Sequence, residues 1–282
     1  MNILVIGATG NIGARVVARL LERGERPRIF VRDAAKARSK FGERVDVFVG
    51  DLQDVASMGP ALMGVDALFL VTSGPELAEQ DASVAKIAKS SGVGRVVKLS
   101  SADAAQQVGT GTWHARGEEA IRAMGVPFVF VRPTGFMDNA LFWARSIKSE
   151  GVVRSSTGHG KIPFIHSDDI ADVATRALVT ANYLGASLSI TGPEALSYAQ
   201  MSAKIGAAVG KRIAYEAVNE DEARRLQAAW GDPPAVIDAH QSIYRAILQG
   251  RLGEVTDTVE RVLGRPSIPF DRWVEQHVDA FR

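Results

Sequence analysis

Three glycines near the beginning of the chain have the spacing of a phosphate-binding turn, Gly7-x-x-Gly10-x-x-Gly13. An apolar strand pattern at residues 3–6 precedes them, and helical periodicity that ends at Gly24 follows directly. This strand-turn-helix context is the one in which such a motif binds a dinucleotide. The same pattern would also fit a tight turn without a ligand.

Each glycine has a physical role in a nucleotide-binding turn. The first lets the chain leave the strand sharply, the second admits a pyrophosphate to the backbone, and the third brings helix and strand together. The helix start then offers free N–H groups and a positive dipole end to the phosphates. The predicted contact residues in this turn are Gly7, Thr9, Gly10, Asn11, Ile12 and Gly13.

A second predicted strand, residues 27–31, ends at Arg32, where βαβ units of this kind distinguish NAD from NADP. Arg32, with Lys36 nearby, can form a forked, charge-assisted contact with the 2′-phosphate of NADP. Asp33 leaves an alternative open, because it either binds the ribose or caps the following helix. We expect NADPH to be preferred over NADH.

Small and polar residues follow the later predicted strands, whose carboxyl ends face the ligand crevice of a parallel sheet. Asp51 is expected either at the adenine or at a helix start. Ser100 and Ser101 are expected at the cofactor ribose or the substrate, although each fits a plain loop as well. The cofactor contacts predicted at these strand ends are Asp51, Leu52, Thr72, Ser73, Ser100 and Pro133.

Composition excludes several classes of protein. The 33 basic and 32 acidic residues nearly balance, which gives no electrostatic case for nucleic acid or an anionic membrane as partner. Cysteine is absent, and the five histidines show no metal-ligand spacing, so we expect no disulfide, thiolate or metal chemistry. The first strand begins almost at Met1 and no apolar run reaches about 18 residues, so we expect a cytoplasmic protein.

Strand and helix patterns alternate regularly along the first half of the chain. This alternation predicts an α/β fold with a doubly wound parallel sheet, the NAD(P)-binding Rossmann fold. The predicted strands are residues 3–6, 27–31, 45–49, 67–71, 95–99, 128–131 and 187–190, and the clearest helices lie at 77–90 and around 113–122.

The pattern loosens after residue 139, where a helix is expected around Phe142 and Trp143. The chain is mainly helical from residue 197, with a clear break at residues 230–234. We assign residues 1–135 and 156–190 to the nucleotide-binding domain. Residues 136–155 and 191–282 are assigned to a smaller, mainly helical substrate lobe, because substrates usually bind in clefts between lobes.

A combination of motifs along essentially the whole chain carries a family resemblance. It consists of the glycine motif, Val31-Arg32-Asp33, Gly50-Asp51-Leu52, Gly125-Val126-Pro127 and the segment from Arg132-Pro133 to Asn139. The sequence resembles the NmrA-like atypical short-chain dehydrogenase/reductases. Within them it is most similar to the branch of triphenylmethane reductase, NAD(P)H:quinone oxidoreductase type 2 and NAD(P)H azoreductase, which implies an NAD(P)H-dependent oxidoreductase.

One motif of the wider short-chain dehydrogenase group is missing. Typical members carry Tyr-x-x-x-Lys on the helix after the fifth strand, where the tyrosine exchanges a proton with a carbonyl oxygen. The corresponding helix here has His114-Ala115-Arg116-Gly117-Glu118, and the first tyrosine of the chain is Tyr183. Carbonyl, alcohol and epimerase chemistry is therefore not expected. Quinones, azo bonds and cationic dyes are already electrophilic and need mainly a well-placed hydride donor and an apolar pocket.

His114 and Glu118 are the candidate catalytic residues. His114 can donate a proton to the reduced product or hydrogen-bond a quinone oxygen. Glu118, one helical turn further on, can orient His114. The alternatives are a structural histidine at a helix start and a solvated glutamate.

An aromatic-rich stretch follows the sixth predicted strand. It would suit a flat aromatic acceptor, but aromatic side chains of this kind also form cores. The predicted substrate-pocket residues are Ser101, Phe136, Met137, Phe142 and Trp143.

Two function classes fit these features. The first is an NAD(P)H-dependent reductase of quinones, azo dyes or triarylmethane dyes, with a small aromatic electron acceptor as partner and a monomeric or homodimeric state. The second is a cofactor-sensing regulator of the NmrA type, which binds NAD(P) without turnover and acts through a protein partner. The aromatic stretch and the resemblance to dye reductases favour the enzyme.

Overall fold

A parallel β-sheet with helices on both faces forms the centre of the fold. The computed structural model describes all 282 residues. The strands are β1 (Ile3–Ile6), β2 (Arg28–Val31), β3 (Asp46–Val49), β4 (Ala67–Leu70), β5 (Arg95–Leu99), β6 (Phe128–Pro133), β7 (Val152–Ser155), β8 (Lys161–Ile162), β9 (Ser187–Ile190), β10 (Leu196–Ser197) and β11 (Ala214–Ala217). Seven of them form one sheet in the order β3-β2-β1-β4-β5-β6-β9, all parallel. The predicted doubly wound Rossmann fold is therefore confirmed.

Twelve α-helices cover the sheet and build the C-terminal part of the chain. They are α1 (Asn11–Glu22), α2 (Ala34–Phe41), α3 (Gly59–Leu62), α4 (Leu77–Ser90), α5 (Thr110–Ala123), α6 (Ala144–Glu150), α7 (Ser167–Val179), α8 (Tyr198–Val209), α9 (Glu220–Ala229), α10 (Pro234–Leu248), α11 (Thr258–Leu263) and α12 (Phe270–His277). Short 3₁₀ segments lie at Gly42–Arg44, Val55–Met58, Ala102–Ala105, Met137–Trp143 and Val278–Ala280. None of the helices combines the length and the apolarity needed to cross a bilayer.

The two faces of the sheet bury separate apolar clusters. Alternate strand residues such as Val5 and Val97 pack under α1, α7 and α11. Their neighbours Leu4 and Val96 pack under α3, α4 and α5 on the opposite face. This near-continuous burial is typical of parallel strands covered by helices on both sides.

A third apolar cluster lies in the C-terminal part of the chain. It joins the segment after β6 to α8, α10 and α12, and Trp273 is its largest fully buried side chain. Ile162 and Phe164 also pack in this cluster, whereas Val259 of α11 packs against the sheet. The division of the chain into two lobes stays a prediction.

Two local features differ from the sequence-based expectations. Phe142 and Trp143 end a 3₁₀ segment, and the α-helix expected around them begins only at Ala144. The parallel pair β7 and β11 was not predicted. Its strands are far apart in sequence and β11 is largely exposed, so neither carries a strong periodic apolar signal.

Close packing of α1 on β1 depends on Gly13. A Cβ atom at this position would overlap the carbonyl group of Gly7. We expect Gly13→Ala to lower the free energy of unfolding by about 1–3 kcal/mol, because the helix must move away from the strand. Urea denaturation with and without the substitution measures this effect.

Gly59→Ala is the matched control for that prediction. Gly59 is also helical, but a Cβ atom there would meet no atom within 4 Å. We expect this variant to be as stable as the unmutated protein or up to about 1 kcal/mol more stable. Unchanged stability of Gly13→Ala would contradict the packing argument.

Candidate active site

A cleft of about 310 Å³ opens at the carboxyl ends of the first four strands. The strand order reverses between β1 and β4, and this is where doubly wound sheets bind ligands. The predicted residues that line the cleft are Gly7, Thr9, Arg32, Asp51, Leu52, Thr72 and Ser73. Lining residues that the sequence analysis missed are Ile6, Ala8, Phe30, Val31, Gly50, Gln53, Val71 and Gln80. They directly flank the predicted residues, apart from Phe30 and Gln80.

The glycine turn in this cleft has the shape that a diphosphate requires. Gly7 has a φ of +76°, and a Cβ atom there would lie 2.8 Å from the Cβ of Val71. The Gly10 N–H donates to the Gly7 carbonyl at 3.0 Å, which closes the turn. No side chain caps the start of α1, so its first N–H groups are left for a ligand. The residues present therefore fit a dinucleotide.

Arg32 and Asp33 have separate roles at the end of β2. Arg32 is exposed and lines the cleft. Asp33 caps α2, because its Oδ1 accepts the N–H of Lys36 at 2.9 Å. The capping alternative for Asp33 is thus the one observed. The Lys36 side chain does not line the cleft.

Asp51 lies at the cleft, at the end of β3. Its Oδ1 accepts the N–H of Gln53 at 3.0 Å, so the carboxylate also stabilises the local turn. Gly50, next to it, has no room for a side chain, because a Cβ atom would lie 2.5 Å from the ring of Phe30. The contact of Asp51 with the adenine stays a prediction.

A buried ion pair lies beside the cleft. Lys98 of β5 and Asp81 of α4 are completely buried, with Nζ and Oδ2 2.7 Å apart. Thr72, which lines the cleft, donates to Asp81 at 2.7 Å and accepts from Lys98 at 2.9 Å. Burial raises the pKa of Asp81 and lowers the pKa of Lys98. Lys98 was missed from the sequence, although a lysine within an otherwise apolar central strand was an available signal.

Glu118 is not a solvated residue, and it does not contact His114. It is buried and accepts hydrogen bonds from Ser100 at 2.6 Å, from Nε of Arg132 at 2.8 Å and from Arg122 at 3.2 Å. The predicted orientation of His114 by Glu118 is therefore wrong, because both carboxylate oxygens are held by other groups. The Ser100 hydroxyl is likewise directed to Glu118 and not towards the cofactor cleft.

His114 is a neutral histidine on the first half of α5. Burial, with a further contribution from the Lys98 charge, lowers the pKa of His114 to about 3. Its Nδ1 is buried without a hydrogen-bond partner. His114 therefore offers one N–H and one free lone pair at neutral pH, and it does not act as a cationic acid.

The predicted acceptor residues differ in their surroundings. Met137 and Trp143 are buried in the C-terminal apolar cluster, whereas Phe142 is 74% exposed. Phe136 packs against the sheet and pairs with Ile165 through a single bridge. Ser101 caps the 3₁₀ segment Ala102–Ala105 by accepting from the Asp103 N–H at 3.2 Å. These exposures do not place the residues on one surface.

Asn11 connects the phosphate turn to the C-terminal part of the chain. Its Nδ2 donates to Asp138 at 2.6 Å, and Asp138 also accepts from Ser167 at 2.6 Å and from the indole N–H of Trp273 at 2.7 Å. Burial opposes the charge of Asp138, but these hydrogen bonds outweigh it and lower the pKa. Asp138 was missed, since nothing in the local sequence indicates contacts with residues so distant.

The remaining predicted residues are structural in this arrangement. Ile12 and Gly13 are buried on the face of α1 that contacts β1. Pro133 is buried at the end of β6, where it pairs with Ile190. Gly10 contributes its backbone to the glycine turn.

The fold and the glycine turn define a dinucleotide-binding Rossmann protein. Residues 7–181 match the NAD(P)H-binding family. The chain belongs to this family.

Full-length relatives extend the comparison beyond the nucleotide-binding residues. The NAD(P)H azoreductase of Xenophilus azovorans is 35% identical, covering 99% of both chains. The (4-alkanoyl-5-oxo-2,5-dihydrofuran-3-yl)methyl phosphate reductase of Streptomyces griseus is 36% identical, again over 99% of both. The NADPH complex of a quinone oxidoreductase from Escherichia coli has a TM-score of 0.90 at 25% identity, covering 97% of this chain and 99% of that one. The predicted class, an NAD(P)H-dependent oxidoreductase, is confirmed.

Gly10→Val tests the phosphate site separately from the fold. A Cβ atom at Gly10 would lie 3.3 Å from the Gly7 carbonyl oxygen, a tight contact that a small shift relieves. We expect the variant to fold and to lose NADPH binding, because the branched side chain occupies the space of the pyrophosphate. Calorimetric titration with NADPH measures the loss, and circular dichroism checks the fold. Unchanged affinity would mean that the nucleotide binds elsewhere.

Proposed function

We propose that the protein is an NADPH-dependent reductase of quinones or related electrophilic aromatic acceptors, such as azo and triarylmethane dyes, that works without a Tyr/Lys pair. The observation that carries this proposal is the neutral His114 on the helix where carbonyl reductases have a tyrosine acid. An acceptor that is already electrophilic needs a hydride donor at the correct distance more than it needs an acid. The names of the azoreductase and quinone oxidoreductase relatives support the same acceptor class.

The cofactor is held by this chain at the glycine turn and along the cleft. The backbone of the turn and the start of α1 bind the diphosphate, and Thr72 and Ser73 line the adjoining part of the cleft. When bound, NADPH supplies the hydride. Arg32 selects NADPH over NADH, since Asp33 is engaged as a helix cap.

The acceptor binds between the cofactor cleft and the C-terminal cluster. Phe136 and Ser101 lie at the carboxyl ends of β6 and β5 and are the predicted contacts nearest to the sheet. The relative from Streptomyces griseus is named for an unsaturated five-membered lactone. A conjugated lactone therefore belongs on the acceptor panel beside quinones and dyes. A cytoplasmic location and a monomeric or homodimeric state complete the proposal.

A turnover screen distinguishes this reductase from a cofactor-sensing regulator. The unmutated protein is mixed with NADPH and each acceptor in turn, and the loss of NADPH absorbance is followed. We expect turnover of at least one quinone or dye. Tight NADPH binding with no turnover of any acceptor would favour the regulator.

Arg32→Ala tests the cofactor preference. A charge-assisted hydrogen bond contributes about 1.5–3 kcal/mol. We therefore expect NADPH affinity to fall roughly tenfold to a hundredfold, while NADH affinity changes little. Arg38→Ala removes another exposed arginine from the adjacent helix and is the control. Equal losses for both cofactors in Arg32→Ala would show that Arg32 does not contact the 2′-phosphate.

His114→Ala tests the role of the neutral imidazole. A quinone needs a proton on oxygen after it takes up hydride, whereas a cationic dye becomes neutral and needs none. We expect kcat for a quinone to fall about 10²-fold, the scale of one general acid or one oxyanion donor, with little change for the dye. Steady-state kinetics on one quinone and one triarylmethane dye provide the measurement.

His159→Ala, which removes an exposed histidine, is the control for that experiment. It should leave both reactions unchanged. Equal large losses for the quinone and the dye in His114→Ala would make the histidine a general requirement and would contradict this division of roles.

A further inference from the structure

The buried pair of Lys98 and Asp81 occupies a space that the fold leaves for it. Asp81 reaches from α4 to the surface of α5, where Gly117 faces it. A Cβ atom at Gly117 would overlap the Asp81 carboxylate. A glycine within a helix costs about 1 kcal/mol relative to alanine, so this helix gives up stability at the point where the carboxylate lies.

Stability does not explain why such a pair is present. Removing two charges from water costs several kcal/mol per ion, and apolar residues of similar size are often as stabilising or more so. Lys98 and Asp81 nevertheless lie on the sheet face that otherwise buries apolar residues such as Val96. Buried charges with altered pKa values next to a ligand cleft are typical of functional sites. Thr72 connects this pair to the cleft.

The hydrogen bonds of Lys98 leave one donor free. An ammonium group has three N–H donors, and two of them are used by Asp81 and Thr72. His114 has the complementary deficit, since its Nδ1 is buried with no partner. The Lys98 charge also acts on the His114 imidazole. A cation with a free proton and a buried lone pair with no donor therefore lie in the same buried region.

We propose that Lys98, held in place by Asp81 and Thr72, supplies the proton that a quinone takes up, and that His114 delivers it. This proposal rests on the proposed function. It makes Lys98 and Asp81 positioning residues that act through His114. A cationic dye, which takes up hydride alone, does not use them.

The proton and electron balance of the step is complete. Hydride from NADPH converts the quinone to a hydroquinone anion and leaves NADP⁺. The Nε2 proton of His114 moves to the anionic oxygen, while Nδ1 takes a proton from the Lys98 ammonium. Solvent then protonates Nε2, and Nδ1 returns its proton to the Lys98 amine. One solvent proton is consumed for each hydroquinone formed.

The charged groups around this path determine its pH dependence. Those on the packed elements are Asp81 on α4, Glu118 and Arg122 on α5, Asp103 on the 3₁₀ segment and Arg132 on β6. Glu118 is held by the two arginines. Burial lowers the pKa of Lys98, whereas the charges of Asp81 and Glu118 raise it. Because the ammonium form is required, quinone turnover falls as the pH rises through the pKa of Lys98, while dye turnover has no such limb.

Lys98→Arg is the decisive variant. Arginine keeps the positive charge beside Asp81 but does not release a proton in proteins. We expect kcat for the quinone to fall about 10²-fold or more, and its alkaline limb to disappear, while kcat for the dye stays within about twofold. Lys86→Met removes an exposed lysine from α4, the helix of Asp81, and should change neither reaction.

A second variant removes the pair without leaving a lone buried charge. In the double variant Lys98→Met with Asp81→Leu, the same loss of quinone turnover is expected. NADPH affinity, measured by calorimetry, should stay unchanged. NMR titration of the His114 ring provides a readout that does not depend on turnover: its pKa should rise when the Lys98 charge is absent.

Each outcome either supports or overturns the proposal. Loss of quinone turnover alone supports it, and if Lys98→Arg does not fold, the double variant decides by the same quinone-to-dye ratio. Equal losses for the quinone and the dye would mean a purely structural pair. Full quinone turnover in Lys98→Arg would mean that the charge acts without proton release. No turnover of either acceptor by the unmutated protein would instead refute the proposed function.

Discussion

The close contact between α1 and β1 is the constraint on which the rest of the structure depends. Gly13 allows the helix to lie against the Gly7 carbonyl, and this contact directs the start of the helix towards the cleft. The N–H groups that would bind a diphosphate are therefore positioned by packing and not by a capping side chain. Asn11, at the same helix start, bonds to Asp138, so the turn also anchors the C-terminal part of the chain.

Asp138 is the second point at which distant segments meet. Its carboxylate accepts hydrogen bonds from α1, from the start of α7 and from Trp273 of α12. Hydrogen bonds to a charged acceptor are stronger than those to a neutral one. The phosphate turn and the C-terminal cluster are therefore joined by one charged group, which links the cofactor site to the part of the chain assigned to the acceptor.

Charge is arranged differently on the two sides of α5. Glu118 is neutralised by Arg132 and Arg122 and has no role left in moving protons. Lys98 and Asp81, on the side of α4, are bonded to a residue of the cofactor cleft. A helix that lacks the tyrosine of related reductases thus has a neutral histidine and a buried ammonium group near it.

Local sequence was sufficient for the strands of the main sheet, for α4 and for the glycine turn, since these depend on periodicity and on residues adjacent in the chain. The cap at Asp33 was one of two readings that sequence left open. Only the tertiary structure decided the partners of Glu118 and the meeting of Asp81, Lys98 and Gly117. Those contacts join separate elements, and a charged side chain has no sequence pattern that identifies the residue it will face once the chain is packed.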